Sequence, residues 1–374
     1  MKRFVILPLS DGGAKIFDRS KSDYIILSQQ GYDYLYLNRN TSVPIALVNK
    51  MQSLWQVSAD NSIIDDVFLF REAGTTNFET ASWEVTHSCN FRCEHCLIDE
   101  KIAFKKFSPH EIDEILKTLV WSGIYKIQIT GGEPLIDISY FSEIYKRAYE
   151  LGLIVTVSTN GSLISKSVLD LWHNYPPLRV VVSLYGATNK TYQKFTRSNN
   201  NFDDFLNNLN SMKDLGISLR LNIIISNKNS HEKDLLVNLA KKFTDDYYLF
   251  DNFSPTLGGS TYPTELSLNN DLFSSGSNNG SCWAGKKSLH IEPNGMAMIC
   301  QQSRGCKISL LDHKYGFAKV LSLEAVCQLQ YDEECDSCNE RETCNKCPVM
   351  IRNYKKSGVN KSIFCPKGGE KCSV

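Results

Sequence analysis

The sequence predicts an α/β fold: an open, partial (β/α)6 barrel, preceded by a small α+β or winged-helix module and followed by a cysteine-rich extension. Three observations predict it. Between about Ala81 and Pro255, short β-branched or aromatic runs alternate with helical patterns, the signature of repeated βα units and a parallel sheet. The helical patterns carry start and stop signals. The thirteen cysteines are bunched, with none before Cys89, three within eight residues, and ten in the last 93 positions.

Taken in order, residues 1–80 hold strand-like runs at 3–8, 24–27 and 32–37, then helical stretches at 44–55 and 63–72. Residues 81–260 hold six expected strands, near 83–86, 126–130, 154–158, 179–184, 218–225 and 247–252. Ser108-Pro109-His110-Glu111 reads as a capping box with proline at the first helical position, and Gly152 and Gly216 follow apolar-periodic segments as C-terminal caps. Six βα units are too few for a closed eight-stranded barrel and suit an open one, with its active site at the carboxyl ends of the strands. Residues 261–374 are poor in periodicity. They include a Ser/Asn/Gly-rich linker at 274–281 and an expected hairpin, 288–293 with 296–299, turning at Asn294-Gly295. That hairpin would bring Cys282 and Cys300 together.

With 374 residues and 42% hydrophobic composition, the chain can bury a substantial core. Lys+Arg and Asp+Glu both count 41, so no overall field attracts nucleic acid or a membrane surface. Asp11, Lys15, Asp18 and Arg19 interrupt the apolar N-terminal stretch, and no run approaches the roughly 18 apolar residues of a membrane helix. A cytoplasmic location is expected. In a reducing compartment thirteen cysteines point to metal rather than disulfides.

Cys89, Cys93 and Cys96 form a C-x3-C-x2-C motif directly after the first barrel strand. Three thiolates this close can hold one face of a cubane cluster and leave the fourth iron open for a substrate. Zinc is the alternative, but a structural zinc prefers four protein ligands and no fourth cysteine lies within 180 residues. The motif resembles that of the radical S-adenosylmethionine (radical SAM) superfamily, which carries it on the loop after the first strand of a partial TIM-like barrel. In that family the residue before the last cysteine is usually aromatic and sits by the adenine; His95 stands there.

Further motifs fall at strand ends. Gly131-Gly132-Glu133 resembles the family's motif for the amino group of S-adenosylmethionine, with glycines for close backbone approach and a carboxylate to accept from an ammonium. By the same resemblance Ser158 and Asn160 fall at the ribose position and Ser183 near the methionine carboxylate, which Arg197 could also reach. Taken alone, the glycine, serine and asparagine motifs read equally well as turn chemistry, and Arg197 as a solvated surface arginine.

The C-terminal order Cys282, Cys300, then Cys335-x2-Cys338-x5-Cys344-x2-Cys347, then Cys365 resembles the SPASM extension of radical SAM enzymes, whose usual spacing before the position of Cys347 is one residue longer. The resemblance implies two auxiliary [4Fe-4S] clusters: Cys282, Cys300 and Cys347 for the first, and Cys335, Cys338, Cys344 and Cys365 for the second. Cys306 is either the first cluster's fourth ligand or spare, Cys327 and Cys372 have no place in the pattern, and the C-x2-C pairs also fit zinc.

These resemblances imply an oxidoreductase-type peptide maturase that acts on a ribosomally made precursor peptide, with residues 1–80 as a leader-recognition module. It would draw electrons from a flavodoxin- or ferredoxin-type donor. A formylglycine-generating sulfatase maturase is the alternative, and an iron–sulfur electron-transfer or cluster-carrier protein is the alternative of another class. Tyr185, His290 and Asp312 lie near motif positions but receive no role, and no general base or hydrogen donor is assigned from spacing.

Overall fold

The computed structural model describes residues 2–99, 105–268, 282–303, 305–339, 341, 344 and 347–365. The expected linker at 274–281 and Cys372 lie outside them. The N-terminal module is a four-stranded sheet in the order β3-β2-β1-β4. Its strands are β1 (Phe4–Pro8), β2 (Ala14–Asp18), β3 (Tyr24–Leu27) and β4 (Phe68–Phe70), and its helices are α1 (Gln29–Leu37), α2 (Ile45–Trp55) and α3 (Ile64–Val67). Strands β1 to β3 form an antiparallel meander, and β4 returns parallel to β1.

Two expectations fail here. Residues 32–37 are the end of a helix rather than a strand. Their alternating tyrosines mimic a two-residue period, but the Ser28 side chain accepts from the Gly31 N–H and caps a helix, in which the rings of Tyr32 and Tyr36, four residues apart, meet at a tilt with centres 5.8 Å apart. Residues 63–72 hold a single helical turn and then β4, because Phe68 finds a parallel partner in Phe4. Strand β2 was not expected at all.

The main sheet has nine strands in the order β10-β9-β8-β7-β6-β5-β11-β12-β13. Its six parallel strands are β5 (Thr80–Glu84), β6 (Lys126–Thr130), β7 (Ile154–Thr159), β8 (Arg179–Leu184), β9 (Leu219–Ile224) and β10 (Tyr247–Phe250). Between them run α4 (Pro109–Ser122), α5 (Ile138–Glu150), α6 (Lys166–Asn174), α7 (Asn189–Thr196), α8 (Phe202–Asp214) and α9 (Lys233–Lys241). The capping box at Ser108 and Glu111 forms as expected. Ile127, Ile129, Val155, Val157, Val180, Val182, Leu221 and Ile223 are buried under the helices, and the alternate residues face the concave side of the sheet.

After β10 come α10 (Tyr262–Glu265), β11 (Ser288–Ile291), β12 (Met296–Met298), β13 (Ile308–Ser309), α11 (Phe317–Gln328), α12 (Glu333–Asp336), α13 (Pro348–Lys356) and α14 (Lys361–Phe364). The expected hairpin forms as β11 and β12, and β11 also pairs parallel with β5, from Ser288↔Thr80 to Ile291↔Trp83. The C-terminal segment thus extends the barrel sheet instead of standing apart from it.

Two buried arginines fasten the N-terminal module to the barrel. Arg71 donates to Val120 O and Ile124 O, both at 2.9 Å, at the carboxyl end of α4. Arg19 donates to Tyr149 O at the end of α5 and lies 4.0 Å from the Tyr149 ring centre. Helix carboxyl ends present unpaired carbonyls and partial negative charge, which suits a guanidinium. Burial lowers both arginines to about 10, so they stay charged at neutral pH.

Candidate cluster and cofactor site

The loop after β5 carries Cys89, Cys93 and Cys96 and is pinned from three sides. From β6, Gly132 N donates to Thr86 O at 2.7 Å and Glu133 N to Ser88 O at 2.8 Å. A Cβ on Gly131 would lie 2.3 Å from Thr86 O, and one on Gly132 2.4 Å from Ser88 O. Any side chain here would push the two loops apart. From α7, Thr196 O accepts from Arg92 N at 2.9 Å. From the core, the buried Phe91 ring meets Tyr192 edge-on at 5.9 Å.

Cys89 Sγ accepts from Phe91 N at 3.3 Å and from Asn160 Nδ2 at 3.9 Å. Burial pushes Cys89 and Cys93 upward. In the metal-free chain they are therefore thiols, and cluster binding would release their protons. Among the described residues no cysteine forms a disulfide, and no three His, Cys, Asp or Glu side chains close around a single metal-ion position. A cubane spreads its thiolates more widely than a zinc tetrahedron does.

Two adjoining cavities open over this loop. One, of about 570 Å³, is lined by the three cysteines with Asn160 and Arg197. The other, of about 350 Å³, is lined by Ser158, Ser183, Phe253 and Gln301, and the two share His95, Cys96, Gly131, Gly132 and Tyr185. The His95 ring lies 5.1 Å from Phe195, 5.2 Å from Phe253 and 5.7 Å from Tyr185. Burial lowers His95 to about 4, so it is neutral, and its buried Nδ1 has no hydrogen-bond partner.

Glu133 departs from its expected role. Its carboxylate is fully buried and accepts from Leu135 N at 3.0 Å, Thr159 Oγ1 at 2.8 Å and Asn160 N at 2.7 Å, tying the ends of β6 and β7 together. It lines neither cavity; the backbone of Gly131 and Gly132 does. Burial raises Glu133 to about 7 against these donors. Asn160 is also largely engaged, donating to Asn90 Oδ1 at 2.8 Å and accepting from Ser162 N at 2.9 Å. Ser158 accepts from Gln128 Nε2 at 2.6 Å.

Arg197, at the end of α7, pairs with Glu94 of the cluster loop, Nε to Oε1 at 3.1 Å. Lys228 and the Tyr262 hydroxyl hold the other Glu94 oxygen. Burial would raise Glu94, but these three donors outweigh it and hold the carboxyl at about 2. Arg197 therefore clamps the loop at the mouth of the cavity.

Sequence reasoning missed a buried network beneath the cluster loop. Glu84, at the end of β5, accepts from His87 Nε2 at 2.8 Å, lies 3.6 Å from His290 Nε2, and accepts from Gln301 Nε2 at 2.5 Å. Burial alone would raise Glu84, yet the two histidines bring it to about 2. His87 precedes Cys89 by two residues and Gln301 follows Cys300, so the network joins the two cysteine regions. The Glu84-x2-His87 spacing at a strand end was a visible signal, and His290 was noted near a motif position without a role; Gln301 had no signal.

Cys282, Cys300 and Cys347 act on one another electrostatically: after burial, the neighbouring cysteines are among the groups that raise Cys300 and Cys347. Cys306 sits exposed beside α11, its N–H donated to Glu324 at 2.9 Å. Cys335 and Cys365 pack against the Ile351–Tyr354–Phe364 cluster, while Cys335 and Cys344 both act on Tyr331. Cys338 N lies 3.4 Å from Cys335 O. Cys327 is exposed on α11.

Residues 83–239 match the family model described as the Radical SAM superfamily. These residues thus form a radical SAM domain within the chain. A GTP 3′,8-cyclase of Rhizobium etli is 30% identical over 163 residues, 42% of this chain and 46% of that protein. An AdoMet-dependent heme synthase of Nitratidesulfovibrio vulgaris is 26% identical over 167 residues, 44% of this chain and 45% of that protein. The chain thus spans about half the length of the curated relatives it matches. Among solved structures, Streptococcus suis SuiB bound to its precursor peptide SuiA superposes with TM-score 0.66 at 16% identity, covering 100% of this chain and 99% of that one. anSMEcpe with bound AdoMet superposes with TM-score 0.55 at 13% identity, covering 75% and 92%. These likenesses show a shared fold. The radical SAM domain at 83–239 implies a [4Fe-4S] cluster and S-adenosylmethionine. Among the described residues, no helix is long and apolar enough to cross a membrane.

Proposed function

We propose that this radical SAM enzyme is a SPASM-type peptide maturase that crosslinks a side chain of a ribosomally synthesised precursor peptide. The observation that carries this reading is the fold correspondence over the whole chain with SuiB, a protein whose structure is solved with its precursor peptide bound. The anSMEcpe likeness, which includes forms with bound peptides, keeps a sulfatase-maturase-type reaction as the second reading.

The residues fit the absent groups. Cys89, Cys93 and Cys96 supply three thiolates to one cavity wall, Gly131 and Gly132 bring backbone to that wall, and the orphaned His95 Nδ1 lies in an aromatic-walled recess. When bound, the cluster would supply one electron to the sulfonium of S-adenosylmethionine, giving methionine and a 5′-deoxyadenosyl radical that abstracts hydrogen from the peptide. The protein's share is placement and exclusion of water. Gly131 and Gly132 carbonyls would take the methionine amino group, Ser158 the ribose and Ser183 the carboxylate. His95, held neutral between Phe195 and Phe253, would flank the adenine. Glu133, Asn160 and Arg197 would act one step back, holding the loops that hold the ligand.

Cys282, Cys300 and Cys347 would carry the first auxiliary cluster, with Cys306 as a candidate fourth ligand, and Cys335, Cys338, Cys344 and Cys365 the second. Residues 1–80 would capture the leader. Strand β3 is an edge of its sheet, with Ile26 exposed, and an extended peptide can add to such an edge.

Anaerobically reconstituted protein with reductant and S-adenosylmethionine is expected to release 5′-deoxyadenosine, and the Cys89, Cys93, Cys96→Ala variant is not. Iron near twelve per chain is expected, about four for each of three cubanes. Mass spectrometry of cysteine- or aromatic-containing precursor peptides should show the loss of two hydrogens that marks a crosslink. Equal 5′-deoxyadenosine release from both proteins would refute the radical reading, and iron near four the auxiliary clusters.

A further inference from the structure

The radical SAM reading requires an electron from outside the chain, and one surface lies directly behind the cluster loop. Helix α7 has two faces. Tyr192 and Phe195 are buried against the loop, Tyr192 edge-on to Phe91 at 5.9 Å and Phe195 5.1 Å from His95. Lys190 and Lys194, four residues apart, form an exposed stripe on the other side, and the exposed Arg197 follows at the helix end, where it turns back to Glu94 of the loop. The stripe continues across a hollow of about 310 Å³ to Lys228 and His231, and this hollow shares Glu94 as a wall with the cluster cavity.

The charge here is local. The chain as a whole has formal net charge +0, and α7 itself carries no acid. The two carboxylates in the hollow are already engaged: Glu94 with Arg197, Lys228 and Tyr262, and Glu232 with Ala187 N, Thr188 and Thr191 at 2.7–2.9 Å. Lys190 and Lys194 have no ion-pair partner among the described residues. A partner seated on this stripe is separated from the cysteine loop by one helix, about 10 Å thick, and the intervening side chains are aromatic.

We infer that this face, Lys190, Lys194 and Arg197 with Lys228 and His231 beside them, docks an acidic one-electron carrier protein that reduces the radical cluster. The transfer is balanced by one electron: the carrier is oxidised by one, the cluster is reduced by one, and no proton or bond moves. The inference rests on the radical reading and adds where the electron enters.

The test compares a reduced flavodoxin, which must dock, with dithionite, which need not. In the Lys190→Glu, Lys194→Glu double variant, flavodoxin-driven 5′-deoxyadenosine release at low salt is expected to fall about tenfold or more, as loss of electrostatic steering predicts. Flavodoxin affinity measured by surface plasmon resonance should weaken with it. The dithionite-driven rate should match the parent enzyme. Lys190→Gln, Lys194→Gln, which is neutral and equally helix-compatible, should give a smaller fall in the same direction. Unchanged flavodoxin rate and affinity would overturn the docking site, as would an equal fall with dithionite, since that places the defect at the cluster. No release from the parent enzyme with dithionite would refute the radical reading instead, and the binding comparison still decides the docking surface.

Discussion

Replacing Glu84 by glutamine tests whether the buried network below the cluster loop holds the barrel to the C-terminal segment. Glu84 is 1% exposed, and its two histidines bring it from an ordinary 4.5 to about 2. A carboxyl lowered on folding adds stability above its unfolded pKa and loses it as pH falls towards its folded one. At 1.36 kcal/mol per unit, the shift corresponds to about 3 kcal/mol at pH 7. Removal of one partner from a buried charged pair costs a comparable amount, about 3–5 kcal/mol.

The assay is anaerobic urea unfolding of the metal-free protein, followed through the fluorescence of Trp83, which is fully buried next to Glu84. The parent should exceed Glu84→Gln by about 3 kcal/mol at pH 7. The gap should persist to about pH 5 and shrink between pH 4.5, where the carboxyl of the unfolded parent begins to take up a proton, and about pH 2. A gap under about 1 kcal/mol at pH 7, the worth of an ordinary hydrogen bond, or a gap that does not change with pH, would refute the assignment of a buried charge to Glu84.

Gly132→Ala should cost about 2–3 kcal/mol through overpacking, because the added methyl would stand 2.4 Å from Ser88 O. It should also weaken S-adenosylmethionine binding in isothermal titration calorimetry of the reconstituted enzyme, since the clash moves the cysteine loop away from the glycine backbone. Arg71→Ala should destabilise the protein by about 3 kcal/mol, two charge-assisted hydrogen bonds to carbonyls at the end of α4 being lost from a buried site. Limited proteolysis should then cut between residues 71 and 80 faster than in the parent, reporting a loosened N-terminal module.

The legible parts of the site are those written in short stretches of chain. The spacing of Cys89, Cys93 and Cys96 and the glycines at 131 and 132 were visible because each motif spans a few residues at a strand end. Orientation was not visible. Glu133 looked like a ligand group because a carboxylate follows two glycines, but its oxygens face Leu135, Thr159 and Asn160 inside the sheet. Arg197 looked like a carboxylate binder and instead pairs with Glu94, 103 residues earlier. The tyrosines at 32–36 suggested a strand because aromatic alternation satisfies a two-residue period, whereas the Ser28 cap, a hydrogen-bonding choice, favours a helix.

By itself, the sequence determined the alternation of strands and helices in the barrel, the caps that bound those helices, and the three-cysteine motif that marks the radical SAM loop. Periodicity, capping and ligand spacing act within a turn or two of chain, so the local order of residues expresses them. Tertiary structure decided that the C-terminal hairpin pairs with β5, that Glu84 meets Gln301 across 217 positions, and that α7 places its cations outward behind the cluster loop. Those outcomes depend on which edge of a sheet is open and which face of a helix is buried, and such choices exist only once distant segments have packed.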